Sequence, residues 1–140
     1  MPAHSPILAP IIVLAAWSMI MWVWMYATRL PAMRRARMVP DPQAPSGQQM
    51  STLPAEVRWK ADNYNHLMEQ PTLFYAVALS LALLDAGNDT TLILAWGYVG
   101  LRVLHSLVQA LVNKIEVRFV VFLMSSLLLI GMIVEAWKAL

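Results

Sequence analysis

The chain has 140 residues, 59% of them hydrophobic and 13% charged, with ten Met, six Trp and a mean hydropathy of +0.58. A soluble chain this short buries only about two thirds of its unfolded surface and would have to show much of that apolar content to water, so the composition excludes a soluble domain and indicates an integral membrane protein. With no cysteine, disulfide frameworks, thiolate zinc sites and a cysteine nucleophile are excluded, and a net charge of +2 is too small to point to nucleic acid.

Four apolar segments follow in chain order, at about 6–27, 63–84, 91–112 and 117–137, each near the ~20 residues needed to cross a bilayer. They make one membrane domain over residues 1–140 and place both termini on the same side. The first segment is not a secretory signal, because no positive residue precedes it and the basic run Arg34, Arg35, Arg37 follows it; it reads as a retained anchor. The connection 28–62 carries Arg29, Arg34, Arg35, Arg37, Arg58 and Lys60, whereas the next connection, DAGNDT, has Asp85 and Asp89 and no base. The positive-inside bias therefore predicts that connection 28–62 is cytoplasmic. Lys114 and Arg118 in NKIEVR agree, so the first and third loops are expected in the cytoplasm and the termini outside, as in a bacterial inner membrane. Within the first connection, VPDPQAPSGQQMS (39–51) reads as a loop. No segment shows the period-two alternation of a membrane barrel, and the short connections predict an all-α, up-down four-helix bundle. Most of the tryptophans are expected to face lipid or the interface.

Ionisable residues inside such segments are costly and mark candidate sites. Asp62, Asn65, His66 and Glu69 recur at spacings of three and four, as do Arg102, His105 and Gln109 in LRVLHSLVQ, which predicts one polar face on each helix. At ~1.5 Å per residue, Glu69 lies about 10 Å inside its segment and Arg102 about 15 Å from the same membrane side. An ion pair between them would relieve both desolvation penalties, and a shared cavity open to the cytoplasm is expected. Pro71 either frees the Leu67 carbonyl and bends the helix beside Glu69, or lies in the first turns of the helix at little cost. His66 and His105 lack a further ligand at fixed spacing, so no metal site is expected. Ser125 and Ser126 are expected to back-bond within their own helix or pack against a neighbour.

With Asn65, Glu69, Pro71 and Phe74 in NHLMEQPTLF, Arg102 and His105 in YVGLRVLHS, and Asn113 with Arg118 after it, the sequence resembles the MAPEG superfamily, membrane-associated proteins in eicosanoid and glutathione metabolism, and in particular its bacterial branch. The resemblance covers essentially the whole chain. It implies a left-handed four-helix bundle associating as a homotrimer, with the active site between subunits near the cytoplasmic leaflet. By the same resemblance glutathione is the co-substrate, bound by Asn65, Glu69, Arg102, His105 and Gln109. Glu69 would meet its amino group, Asn65 a backbone amide, and Arg102 or Arg118 its carboxylates. Arg118, with Arg102, would be catalytic by holding the thiolate, and Pro71 would be structural. In the eicosanoid synthases a Tyr tends to stand where this chain has Gln109, and a Ser where it has Phe119; the Asn-to-Glu spacing also differs.

Three functions are thus expected, in order. The first is a glutathione-dependent transferase or peroxidase acting on lipophilic electrophiles or lipid hydroperoxides. The second is a non-catalytic lipid-binding or scaffold protein of the same fold, and the third a small proton-coupled exporter.

Overall fold

The computed structural model describes residues 4–140. Five α-helices build it: α1 Leu8–Arg35, α2 Ala55–Leu67, α3 Pro71–Leu83, α4 Asp89–Leu111 and α5 Ile115–Lys138, with a short 3-10 turn at Met50–Thr52 before α2. α2 and α3 occupy the place of one bundle helix, so the fold is a four-helix bundle whose second helix is broken. No strand occurs among the described residues. The helices α1, α4 and α5 are each long and apolar enough to span a bilayer. Both α1 and α2 extend well into the connection expected from 28 to 62.

The break has a local cause. The Met68 and Glu69 amides donate to the carbonyls of Asn65 and His66 at 3.0 and 3.3 Å, three residues back rather than four. Thr72 and Leu73 continue that tighter pattern to Glu69 and Gln70. Pro71 therefore opens α3 at its first position, where its missing N–H and fixed φ suit a helix start. It is a buried helix opener, not a kink inside a continuous helix. Further on, Asn88 caps α4, its side chain accepting from the Thr91 amide at 3.0 Å.

α4 is the central helix, packed against α1, α2 and α5, while α3 lies against α1 and α5. Small residues allow the close approach of α4 and α5: Leu128 lies over Gly97, and Leu94 over Gly131. The apolar core sits in the half of the bundle that contains α3 and joins Leu14, Phe74, Ala78, Leu81, Ala95, Tyr98, Leu129 and Met132. Phe74 and Tyr98 stack there with centroids 4.6 Å apart and planes 9° from parallel. On the outside, α1 and α5 expose Ile12, Val23, Leu127 and Ile130, as helices solvated by lipid do.

Candidate functional site

Arg102 stands at the middle of α4 with no exposed surface. Its Nη2 donates to His66 Nδ1 at 2.7 Å, and more weakly to the His66 carbonyl at 3.4 Å. Arginine has donors only, so His66 Nδ1 is the acceptor and its ring proton sits on Nε2. The His66 ring lies 4.7 Å from that of His105 and meets Phe122 edge-on at 5.4 Å. Phe122 also lies under the Arg102 guanidinium, 5.8 Å away. Three helices thus meet here, α2 through His66, α4 through Arg102 and His105, and α5 through Phe122.

Beside this cluster is a groove of about 210 Å³ lined by His66, His105, Ile115, Arg118, Phe119 and Phe122. Arg118 is half-buried, its Nη1 donating to Asn113 Oδ1 at 2.5 Å. The αL conformation of Asn113, φ +55°, forms the tight turn from which that side chain reaches back.

The interior at this end is rich in polar atoms without partners. Nε and Nη1 of Arg102, Nε of Arg118, Oε1 of Gln109, the Ser106 hydroxyl and both amide atoms of Asn63 are buried and unbonded. Each such group forfeits about 1–3 kcal/mol unless something bonds it. Arg102 needs an anion most, because a buried guanidinium is costly without one.

The ion pair expected between Glu69 and Arg102 is not formed within the chain. Among the described residues the one salt bridge joins Lys138 to Glu135. Glu69 is exposed in the tight turns after α2, and Asp62 and Asn65 are exposed on the same outer side. His66, one residue beyond Asn65, is rotated by roughly 100° and takes the inward position instead. The polar face predicted on α2 is therefore divided: His66 joins Arg102, His105 and Gln109 inside, while Asp62, Asn65 and Glu69 look outward.

Asp62 and Asn65 line a second hollow of about 400 Å³, whose wall includes Arg29, Leu53 and Arg58. Arg29 has a buried Nε without a partner, and the Nε of Arg58 donates to the Leu53 carbonyl at 3.0 Å. Sequence reasoning treated both arginines only as topology signals. For Arg58 the spacing of four and seven residues to Asp62 and Asn65 is a signal in the sequence; Arg29, on α1, has none. Asn63 was passed over too, because an isolated Asn carries no signal apart from its burial.

Outward from Arg102 one chain of polar side chains is satisfied, although Nε1 of Trp17, packed against the same core, is buried without a partner. The Tyr98 hydroxyl donates to Gln70 Oε1 at 3.2 Å, Gln70 Nε2 donates to the Ser126 hydroxyl at 2.9 Å, and Ser126 donates to the Phe122 carbonyl at 2.8 Å. Ser125 bonds the same carbonyl at 2.8 Å, so both serines back-bond as expected. No group of three His, Asp or Glu side chains placed to hold a metal occurs among the described residues.

The arrangement is a donor-rich, cation-lined depression in an apolar frame, suited to carboxylates or a thiolate. Among known proteins, the family model described as the MAPEG family matches residues 7–137. No curated protein and no solved structure matches the chain.

Proposed function

The chain belongs to the MAPEG family, a superfamily of membrane proteins in glutathione and eicosanoid metabolism, and we propose that it is a membrane-embedded glutathione-dependent transferase or peroxidase acting on lipophilic electrophiles or lipid hydroperoxides. The observation that carries this reading is Arg102: a fully buried guanidinium with two unbonded nitrogens, beside a groove lined by Arg118, His66 and His105. Such a group calls for an anion that the chain itself does not supply. Glutathione has two carboxylates and an ionisable thiol, and it fits these donors.

In this reading Arg102 takes a carboxylate, with His105 and Gln109 as neighbouring donors or acceptors. Arg118 holds the thiolate, the nucleophilic form of a thiol whose ordinary pKa is roughly 8.5. Glu69 meets the amino group and Asn65 a backbone amide, both from the exposed side of α2. Because these two point away from Arg102 within one chain, the site is completed in a homotrimer, where the outward carboxylate of one copy and the inward arginines of the next share one ligand. The site faces the cytoplasm, on the side where the basic connections lie. Glutathione supplies the sulfur nucleophile; the chain binds it, orients it and keeps it deprotonated.

Glutathione titrated into the detergent-solubilised chain is expected to bind saturably and to show thiolate absorbance. Glu69→Gln and Arg102→Leu should abolish binding, and Arg118→Leu should abolish the thiolate band while sparing part of the affinity. Unchanged binding in both of the first two variants would sink the site assignment. The lipid-binding alternative draws on Phe119 and Ile115, which give the groove an apolar rim. It predicts occupancy of that groove by lipid with no thiol conjugation or peroxide reduction.

A further inference from the structure

On α1, away from the groove beside Arg118, Met19, Ile20, Val23, Trp24 and Ala27 line a shallow apolar hollow of about 530 Å³. A second hollow of about 500 Å³ follows directly, walled by the last turns of α1 and the first turns of α2. Its lining includes Thr28, Pro31 and Arg35 from α1 and Glu56 and Lys60 from α2, and Ala27 belongs to both hollows. Positions 20, 23, 24, 27, 28, 31 and 35 recur at spacings of three and four, so the two hollows form one continuous track along a single face of α1.

The polarity of the track changes at the depth where a bilayer's does. Leu8 to Ala27 would span about 30 Å at ~1.5 Å per residue, the thickness of the hydrocarbon core, and Thr28 to Arg35 would add about 12 Å at headgroup level. Lys60 Nζ lies 5.1 Å from the Trp24 ring and donates to the Glu56 and Ala110 carbonyls at 3.0 and 3.4 Å. An ammonium has three donors, so one is left. Arg35 is exposed, and neither it nor Lys60 forms a salt bridge with the Glu56 carboxylate. Two cations against one carboxylate favour an anion. Pro31 also lacks the amide that would bond the Ala27 carbonyl, leaving an acceptor at the junction of the hollows. Lys60 and Glu56 lie on the opposite side of α2 from Asp62 and Asn65, and although Val57 borders the hollows on both sides, no residue proposed to hold glutathione lines this track.

We infer that this face holds one anionic phospholipid of the surrounding bilayer, with an acyl chain in the apolar hollow and the phosphate between Arg35 and Lys60. Basic pockets at a helix boundary recognise anionic headgroups in this way, each Lys or Arg adding to the attraction.

The test is native mass spectrometry of the full chain in detergent with equal amounts of phosphatidylglycerol and phosphatidylcholine of identical acyl chains. Retention of phosphatidylglycerol is expected to exceed that of phosphatidylcholine by about tenfold, the equivalent of ~1.4 kcal/mol. Arg35→Gln/Lys60→Gln should reduce the preference to within about twofold, and Arg35→Gln alone, at an exposed position that folding does not need, should lower it several-fold. Arg34→Gln/Arg37→Gln removes the same charge outside the hollow and should leave it intact. Ala27→Phe should weaken retention of both lipids by blocking the junction. Equal retention by the unaltered chain overturns the inference, as does loss of the preference in Arg34→Gln/Arg37→Gln. Displacement of the lipid by an equal concentration of soluble glycerol phosphate would mean a free-phosphate site instead. Because the chain has no native cysteine, Val23→Cys offers one further check: efficient disulfide cross-linking between copies in membranes would assign the face to a second copy and also overturn it.

Discussion

Two halves of the same bundle treat their buried polar groups in opposite ways. In the half that contains α3, Tyr98, Gln70 and Ser126 form a closed chain of hydrogen bonds beside the stacked rings of Phe74 and Tyr98. One turn further along α4, Arg102, Ser106 and Gln109 leave donors and acceptors unbonded. Tyr98, Arg102, Ser106 and Gln109 all lie buried on α4, but the partners of Tyr98 are the half-buried Gln70 and Ser126 on neighbouring elements, whereas among the described residues no such side chains reach the unbonded atoms of the other three. The unpaired groups cluster at the Arg102 end, where the proposed function puts a ligand, while the α3 half leaves only Nε1 of Trp17 among its described buried side-chain polar atoms unbonded. Pairing is what makes a buried polar network stabilising, and its absence marks where a ligand can gain affinity.

The contrast can be broken hardest at Phe74. Phe74→Ala should destabilise the bundle by about 3–5 kcal/mol, read as a lower unfolding midpoint in detergent, because the ring is wholly buried against Tyr98. A comparable loss on changing the Arg102 end would erase the distinction between the halves. Arg102→Met should instead change stability little, since it removes a buried charge that has no counter-ion and loses only the hydrogen bonds to His66. The same variant should lose the bulk of its glutathione affinity, roughly tenfold or more, as titration calorimetry would record.

Tyr98→Phe sharpens the comparison at one atom. It removes the donor to Oε1 of the half-buried Gln70, at a cost of about 0.5–1.5 kcal/mol in unfolding free energy. Gln109→Leu, in the other half, should cost nothing or stabilise slightly, its Oε1 having no partner to lose. Pro71→Ala should also have a modest effect. At the first position of α3 the ring forfeits no hydrogen bond, so the change removes only its restriction of the unfolded chain and its own buried methylenes, about 1–2 kcal/mol. A much larger loss would mean that the proline's packing, rather than its place at the helix start, holds the break between α2 and α3.

Much of the architecture was legible before any coordinates. Membrane insertion and an all-helical bundle follow from hydropathy, which sums residue by residue and needs no partner to be identified. Arg102 and His105 were legible as site candidates, because polar side chains amid Leu and Val stand out at any rotation of the helix. The error over Glu69 shows the limit. Counting residues from a membrane boundary gives depth along a helix axis, and at that level Glu69 and Arg102 do overlap. It gives no azimuth relative to the neighbouring helices: Asp62 and Asn65, in the unbroken α2, face outward together with Glu69, so the shared face exists but packing turns it away from Arg102. Asn63, Arg29 and Arg58 were missed for a related reason, since what singles them out is burial or a shared wall, both made by other elements.

By itself, then, the amino-acid sequence determined the solvent this chain requires, the apolar segments that cross it and the polar residues too costly to be accidental, because those depend on side-chain transfer energies and local periodicity. The tertiary structure alone decided that His66 rather than Glu69 holds Arg102, that Pro71 starts a helix instead of bending one, and that the grooves open where they do. Such pairings depend on the rotation and spacing of several helices at once, and those are settled by packing across the bundle rather than by any stretch of the chain.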